Sequence, residues 1–286
     1  VAMADISDLK MTIITNDPAK RYYYTLLFGD KYRVKIATRN VNIPGIQNFR
    51  DLGGYPSYST KKQVRWGMIY RSAEIDSLEC YSRRELRNLG IKTLIDLRAS
   101  SETGRQSPLQ KEFNVVHIPL ATGDMENILK GIREEKIKSD TVYRMVEQMN
   151  RDLIDKYTTE SRQIFDILLD KNSYPVVIHC SSGKGRTGIV SALVLAALGI
   201  NEDIIMEDYR LSNDYFNIPS ASKDAYQLPA RSQEAITTLF SAREDFLNAA
   251  KEEAERRYGD IDSYLQKGIG LNKDEIKRLR SILLSD

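Results

Sequence analysis

Residues 176–188 read VVIHCSSGKGRTG. The β-branched run predicts a buried strand, the small residues after Cys180 a tight loop, and GRTGIVSALVLAALG (185–199) an apolar helix behind it. In a sheet of this kind ligands bind beyond the carboxyl ends of the strands, where Cys180 falls. Gly183 and Gly185 let the backbone curl so that successive N–H groups point inward as an anion nest. The helix N-terminus adds its positive dipole end to the same spot. Such surroundings lower a cysteine pKa to roughly 3.5–7.5, and the thiolate is the nucleophilic form. Arg186 offers a planar fork that grips two phosphate oxygens, a geometry lysine does not copy. The expected nucleophile is therefore Cys180 and the expected phosphate grip Arg186. Ser181, Ser182, Gly183, Lys184 and Gly185 form the cradle, and the Thr187 hydroxyl is placed to hydrogen-bond the sulfur as leaving group.

The pattern continues outward on both sides. WGMIYRS (66–72), IKTLIDLR (91–98) and FNVVHIPL (113–120) read as strands, and SRRELRNLG (82–90) as a short helix with Ser82 and Glu85 spaced as a capping box. Residues 125–171 favour helix; within them 125–160 read as an amphipathic insertion with Met145, Met149 and Ile154 on its greasy face, either a lid over the pocket or a layer packed on the sheet. From Asn201 the chain is mostly helical. Alternating strands and helices predict a mostly parallel central sheet with helices on both faces. RYYYTLLFGDKYRVKIATR (21–39) predicts an N-terminal β-hairpin turning at Gly29-Asp30. We divide the chain into a hairpin segment, 1–43, and a main domain, 44–286. AMADIS at the start reads as a tag scar or a trimmed fragment.

Composition narrows the classes. Lys plus Arg number 42 against 40 Asp plus Glu, so the net charge of +2 gives no strong pull towards nucleic acid or anionic membrane. Two cysteines, Cys80 and Cys180, and two histidines, His117 and His179, supply neither a disulfide framework nor zinc-ligand spacing. No metal or cofactor is expected. The longest apolar run, 188–200, is too short to span a bilayer. Compartment is left open between cytoplasm and, had a signal been trimmed, periplasm or cell envelope.

His-Cys-x5-Arg-Thr-Gly resembles the signature of cysteine-dependent phosphatases. No G-x4-G-K-[ST] pattern supports a P-loop NTPase, and Arg-Thr-Gly opening the helix favours phosphate chemistry over a rhodanese-type sulfurtransferase. NFRDLGGY (48–55), RSAEIDSL (71–78), LGIKTLIDLRASSE (89–102), HCSSGKGRTG (179–188) and EDYRLSN (207–213) follow in the order seen in the atypical bacterial tyrosine/dual-specificity phosphatase family. The C-terminal stretch 258–284 also looks like the end of that domain. The resemblance spans about residues 44–286 and implies the cysteine-phosphatase fold and hydrolysis of phosphate monoesters through a phosphocysteine. Phosphate or sulfate should occupy the loop. One position departs: the family often carries Asp just before the loop arginine, where this chain has Gly185. HCSSGKGRTG is also similar to the loop of phosphoinositide 3-phosphatases, whose equivalent lysine helps hold a highly phosphorylated ring. Lys184 then either favours acidic substrates or attracts phosphate generically.

The general acid of such enzymes sits on a loop after the strand two before the signature, here ATGDMEN (121–127). Asp124 is the candidate and Glu126 the reserve; an N-cap for the next helix is the other reading of Asp124. Asp51 is expected to knit a turn through Arg50 and backbone amides and to support the pocket. Asp96 and Arg98 pair at a strand end, and Glu102 is expected to hold Arg98 or Arg105. His179 is read as tuning the thiolate or as a buried neighbour, His117 as a core or edge residue, Cys80 as a bystander. Three functions compete: a phosphatase of phosphorylated protein, a phosphoinositide or inositol-polyphosphate phosphatase, and a non-catalytic phosphate-binding module.

Overall fold

The computed structural model describes the chain except residues 1, 2, 4, 6, 8, 9, 16–19, 30, 31, 77, 104–107 and 286. The strands are Tyr23–Phe28 (β1), Tyr32–Ala37 (β2), Arg50–Asp51 (β3), Pro56–Ser57 (β4), Lys62–Val64 (β5), Ile69–Ser72 (β6), Thr93–Asp96 (β7), Asn114–His117 (β8), Val176–His179 (β9) and Leu284–Ser285 (β10). Five of them form the main sheet in the order β3-β6-β9-β7-β8. All its pairings are parallel except β3 with β6. Strand β9 is central, with His179 in register with Ser72 on one side and Asp96 on the other.

The helices are Cys80–Asn88 (α1), Met125–Arg133 (α2), Ser139–Lys156 (α3), Thr158–Leu169 (α4), Gly185–Ala197 (α5), Glu202–Arg210 (α6), Ser212–Tyr215 (α7), Ile218–Ala221 (α8), Ala230–Leu239 (α9), Glu244–Tyr258 (α10), Ile261–Ser263 (α11) and Lys273–Leu283 (α12). Successive strand residues point to opposite faces, and the core divides accordingly. Ile69, Ile95, Val176 and Ile178 join a large cluster with α4, α5, α10 and α12. Tyr70, Leu94 and Val177 face a smaller cluster with Leu86 of α1 and Phe113. Burial on both faces explains why these strands are continuous apolar runs. Ile128 and Ile132 of α2, Val142 of α3 and Ile236 of α9 form a third cluster. Helix α3 joins this cluster to the main core through Leu153 and Ile154.

The capping box expected at Ser82 and Glu85 is corrected. Helix α1 begins at Cys80 with Glu79 as N-cap, so Ser82 lies inside it and its hydroxyl donates to the Pro44 carbonyl at 2.6 Å. The capping box forms instead at the start of α12, between Asn272 and Glu275. The hairpin forms as expected, although Asp30 of its turn lies outside the described residues. It docks at its base: Trp66 Nε1 donates to the Lys35 carbonyl at 2.8 Å, and Arg21 bonds Asp51 at 2.6 Å. Among the described residues, no helix is long and apolar enough to cross a membrane.

Candidate active site

Cys180 leaves the end of β9 with 1% of its surface exposed. The loop behind it is held by its carbonyls. Arg71 Nη2 donates to the Gly183 carbonyl at 2.8 Å, and Asn48 Nδ2 donates to the carbonyls of Ser182 and Gly183 at 3.2 and 3.1 Å. The Glu74 amide takes the Ser181 carbonyl at 3.3 Å. With those oxygens turned outward, the amides of residues 181–187 donate to no protein acceptor among the described residues, which leaves them for an anion. Gly183 makes the turn possible. Its φ is +68°, and a Cβ there would lie 2.5 Å from the Ser72 carbonyl carbon. Gly188 serves packing, since a Cβ would meet the Tyr209 ring at 2.7 Å.

Behind the loop lies a buried ionic cluster. Asp208 accepts from Arg71 at 2.7 Å, from Arg50 at 3.4 Å and from the Tyr55 hydroxyl at 2.9 Å. Burial opposes the Asp208 charge, but Arg50 and Arg71 outweigh it and hold its carboxyl below the usual range. Burial, and then the charge of Arg71, pushes Arg50 down to about 10. Two arginines against one carboxylate leave positive charge beneath the phosphate cradle, in a region where charges are poorly screened.

Arg186 is engaged by Glu102 through both guanidinium ends, one at 2.8 Å from Oε1, and its Nη2 lies 3.2 Å from Ser181 Oγ. Ser181 Oγ also donates to Glu102 at 2.5 Å. Burial raises the Glu102 carboxyl, yet the bonds from Arg186 prevail and hold it down at about 2. Glu102 therefore does not hold Arg98, whose guanidinium is taken by Asp96 at 2.7 Å and Asp76 at 2.5 Å; Arg105 lies outside the described residues.

A cavity of about 70 Å³ opens at Cys180, lined among others by Glu102, Met149, Lys184, Arg186 and Tyr209. That volume suits a phosphate group and is far below a typical ligand pocket of about 300–1,000 Å³. Met125, Val146, Met149 and Leu239, from α2, α3 and α9, form its apolar lining. The stretch after residue 125 thus packs as a layer, and Met125, Val146, Met149 and Asn150 of it reach the cavity wall.

The expected supporting residues fall in different places. Asp124 caps α2, accepting from the Asn127 amide at 3.0 Å and its side chain at 2.5 Å. Its neighbours Gly123 and Met125 line the cavity; Asp124 does not. Glu126 is exposed on α2. Asp51 is buried away from the cavity, accepting from the amides of Gly53 and Gly67 at 2.7 Å, and its ionic partner is Arg21 rather than Arg50. The Thr187 hydroxyl is buried without a partner, so the expected bond to sulfur is not made here. His117 sits on the edge strand and bonds the Arg98 carbonyl at 2.7 Å. Cys80 is exposed on α1.

His179 is fully enclosed, with Nδ1 3.9 Å from Asp96. Burial pushes its imidazolium down to about 4, while Asp96 pulls the other way. An unfolded histidine titrates near 6.5. Between these values the unfolded chain binds a proton that the native chain refuses, so stability present above about pH 6.5 is lost as pH falls towards 4. Urea midpoints should drop across that window, and His179→Asn should flatten the dependence. An unchanged slope would place the acid sensitivity elsewhere.

Asn48, Arg71, Asp208 and Glu102 are the contacts that sequence reading missed or misassigned. All four lie in the quoted motifs NFRDLGGY, RSAEIDSL, LGIKTLIDLRASSE and EDYRLSN, whose co-occurrence was the available signal.

A central strand ending in a buried cysteine, inward amides and an arginine is the architecture of a cysteine-dependent phosphatase. The tyrosine phosphatase family model matches residues 41–285, and the chain belongs to that family. It is accordingly a phosphatase of the protein-tyrosine class. The triple specificity protein phosphatase PtpB of Mycobacterium tuberculosis is 29% identical over 286 residues, covering 85% of this chain and 98% of the relative. A tyrosine-protein phosphatase of Nostoc commune is 25% identical over 221 residues, covering 73% of this chain and 72% of the relative. The crystal structure of P. aeruginosa TpbA in complex with pTyr aligns at a TM-score of 0.31 and 15% identity, over 65% of this chain and 95% of that one.

Proposed function

We propose that the protein hydrolyses phosphotyrosine in protein substrates by forming and breaking a phosphocysteine on Cys180, within a catalytic domain spanning residues 44–286. The observation that carries this reading is a buried cysteine facing unpaired amides, in one cavity with Arg186. The Cys180 thiolate attacks phosphorus, the S–P bond forms, and the P–O bond breaks with its electron pair leaving on the tyrosyl oxygen. Water then attacks the phosphocysteine, and the S–P pair returns to sulfur. The amides of the Ser181–Gly185 loop and the fork of Arg186 hold the three phosphate oxygens as charge spreads over them. His179 precedes the nucleophile at the end of β9, the unpartnered Thr187 hydroxyl is free to turn to the sulfur when it becomes the leaving group, and Asp51 supports the fold by tying Arg21 to the Gly53 and Gly67 turns. No metal or cofactor is needed for these steps.

A second reading, phosphoinositide hydrolysis, rests on Lys184, a lysine enclosed in the cavity wall, and on the triple specificity in the name of the M. tuberculosis relative. Phosphate release from phosphotyrosine peptides, phosphoserine peptides and phosphoinositide vesicles, measured side by side, separates the readings. The proposal expects the phosphotyrosine peptide to have the highest kcat/KM. Preference for the vesicles would replace it with the second reading, and release from none would leave a phosphate-binding module.

A further inference from the structure

Phosphotyrosine is a poor leaving group without a proton, since phenols titrate near about 10, and the geometry limits where that proton is held. The acid candidate Asp124 has its carboxylate committed to Asn127 and does not line the cavity. Glu102 lines it, but both oxygens are engaged by Arg186 and Ser181. Gly185 carries no side chain. Tyr209 lines the cavity with its phenol pushed above the usual range by burial, which makes it a weaker acid. Lys184 remains. It lines the cavity with Cys180 and is only 4% exposed. Its Nζ lies 4.2 Å from the ring centroid of Phe216 and 5.7 Å from that of Phe240. Those rings are stacked at 5.6 Å, so the ammonium sits on an aromatic platform. Among the described residues it has no hydrogen-bonding partner and no carboxylate.

We propose that Lys184 is the general acid of phosphoryl transfer to Cys180 and, once deprotonated, the general base of phosphocysteine hydrolysis. This rests on the phosphocysteine reading above. The thiolate forms the S–P bond while the P–O bond breaks, and the departing oxygen takes its proton from Lys184 Nζ. The neutral amine then accepts a proton from the attacking water as the S–P pair returns to sulfur. Orthophosphate leaves, and thiolate and ammonium are both restored. The titratable and charged groups facing Lys184 are Cys180 on its own loop, Arg186 on α5, Glu102 after β7 and Tyr209 on α6. Arg186 and Glu102 neutralise one another, and the aromatic platform is uncharged, so Cys180 supplies the unbalanced charge. Burial pushes the Lys184 ammonium down to about 7, against the pull of the Cys180 thiolate. A donor titrating near the working pH is the most effective one. A bound phosphate dianion adds negative charge and keeps the proton in place until the P–O bond gives way.

The test compares wild type, Lys184→Met and Lys184→Arg on a phosphotyrosine peptide and on 2,4-dinitrophenyl phosphate, whose anion departs without a proton. Both variants should lose about 10²-fold or more in kcat/KM on the peptide and far less in kcat/KM on the dinitrophenyl ester, because that parameter ends at S–P bond formation, before the hydrolysis step that both esters share. Arginine keeps the charge but does not release a proton near neutrality, so it should not rescue. Equal losses of kcat/KM on both esters, or rescue by arginine, would make Lys184 a binding charge and overturn the proposal. If Asp124→Asn shows the selective loss instead, the proton comes from there and the proposal fails. Should the Lys184 variants not fold, wild type decides: kcat/KM on the peptide should fall above about pH 7, and that limb should be absent with the dinitrophenyl ester. The same limb on both esters, or on neither, overturns it. Turnover surviving in Cys180→Ser would sink the phosphocysteine reading itself, whatever Lys184 does.

Discussion

Cys180→Ser should lower phosphatase turnover by at least about 10³-fold while leaving phosphate binding intact, because it removes the nucleophile and nothing that holds the anion. A serine hydroxyl is too weak an acid to be ionised by the same amides and helix terminus. In the proposed mechanism the anion is gripped elsewhere, by the free amides of the loop and by Arg186, and the loop's backbone is fixed by Asn48 and Arg71. Phosphate affinity by calorimetry should therefore equal or exceed that of wild type, since a thiolate no longer repels the ligand. Wild type quenched in acid should carry labelled phosphate on the chain, and the serine variant should carry none. Turnover within tenfold of wild type would remove Cys180 from the mechanism.

Arg186→Lys should cost about 10³-fold in kcat/KM, more than one lost oxyanion donor ordinarily does, because a two-pronged contact becomes a point charge. The charge is conserved, so a large loss isolates geometry as the cause. The same substitution disturbs Glu102, which now aligns both of its oxygens with the guanidinium and takes the Ser181 hydroxyl as well. Its carboxyl should rise from about 2 towards the ordinary range. Glu102→Gln should be milder, since Arg186 keeps its charge and fork and loses only its alignment. The double variant should lose less than the sum of the two single changes. Additive losses would mean that the two side chains act independently.

The reaction loop was legible because its chemistry is contiguous. Strand, cysteine, small residues, arginine and helix follow within residues 176–188, so local rules place them. The hairpin and the mostly parallel sheet were legible for the same reason, through turn chemistry and unbroken apolar runs. What stayed hidden depends on pairings across long stretches of chain. Glu102 meets Arg186 across 84 positions and Asn48 meets Gly183 across 135, and neither residue type announces its partner. Ser82 misled because a capping box and a buried bond to Pro44 ask for the same hydroxyl. Asp124 was ambiguous for a chemical reason, since an N-cap and a proton donor both require a short carboxyl at a helix start.

The outward-facing carbonyls of the loop carry a last consequence. They are grasped by Asn48 ahead of β3, by Arg71 of β6 and, through Arg71, by Asp208 of α6. These anchors belong to segments separated by most of the fold, so the cradle cannot loosen alone without uncovering buried charge. Any anion bound in it is thereby thermodynamically linked to the cooperative unfolding of the domain, a coupling worth about 2.7 kcal/mol at a hundredfold excess over Kd. An anion that occupies the cradle therefore raises the free energy of unfolding of the whole domain as it fills the site.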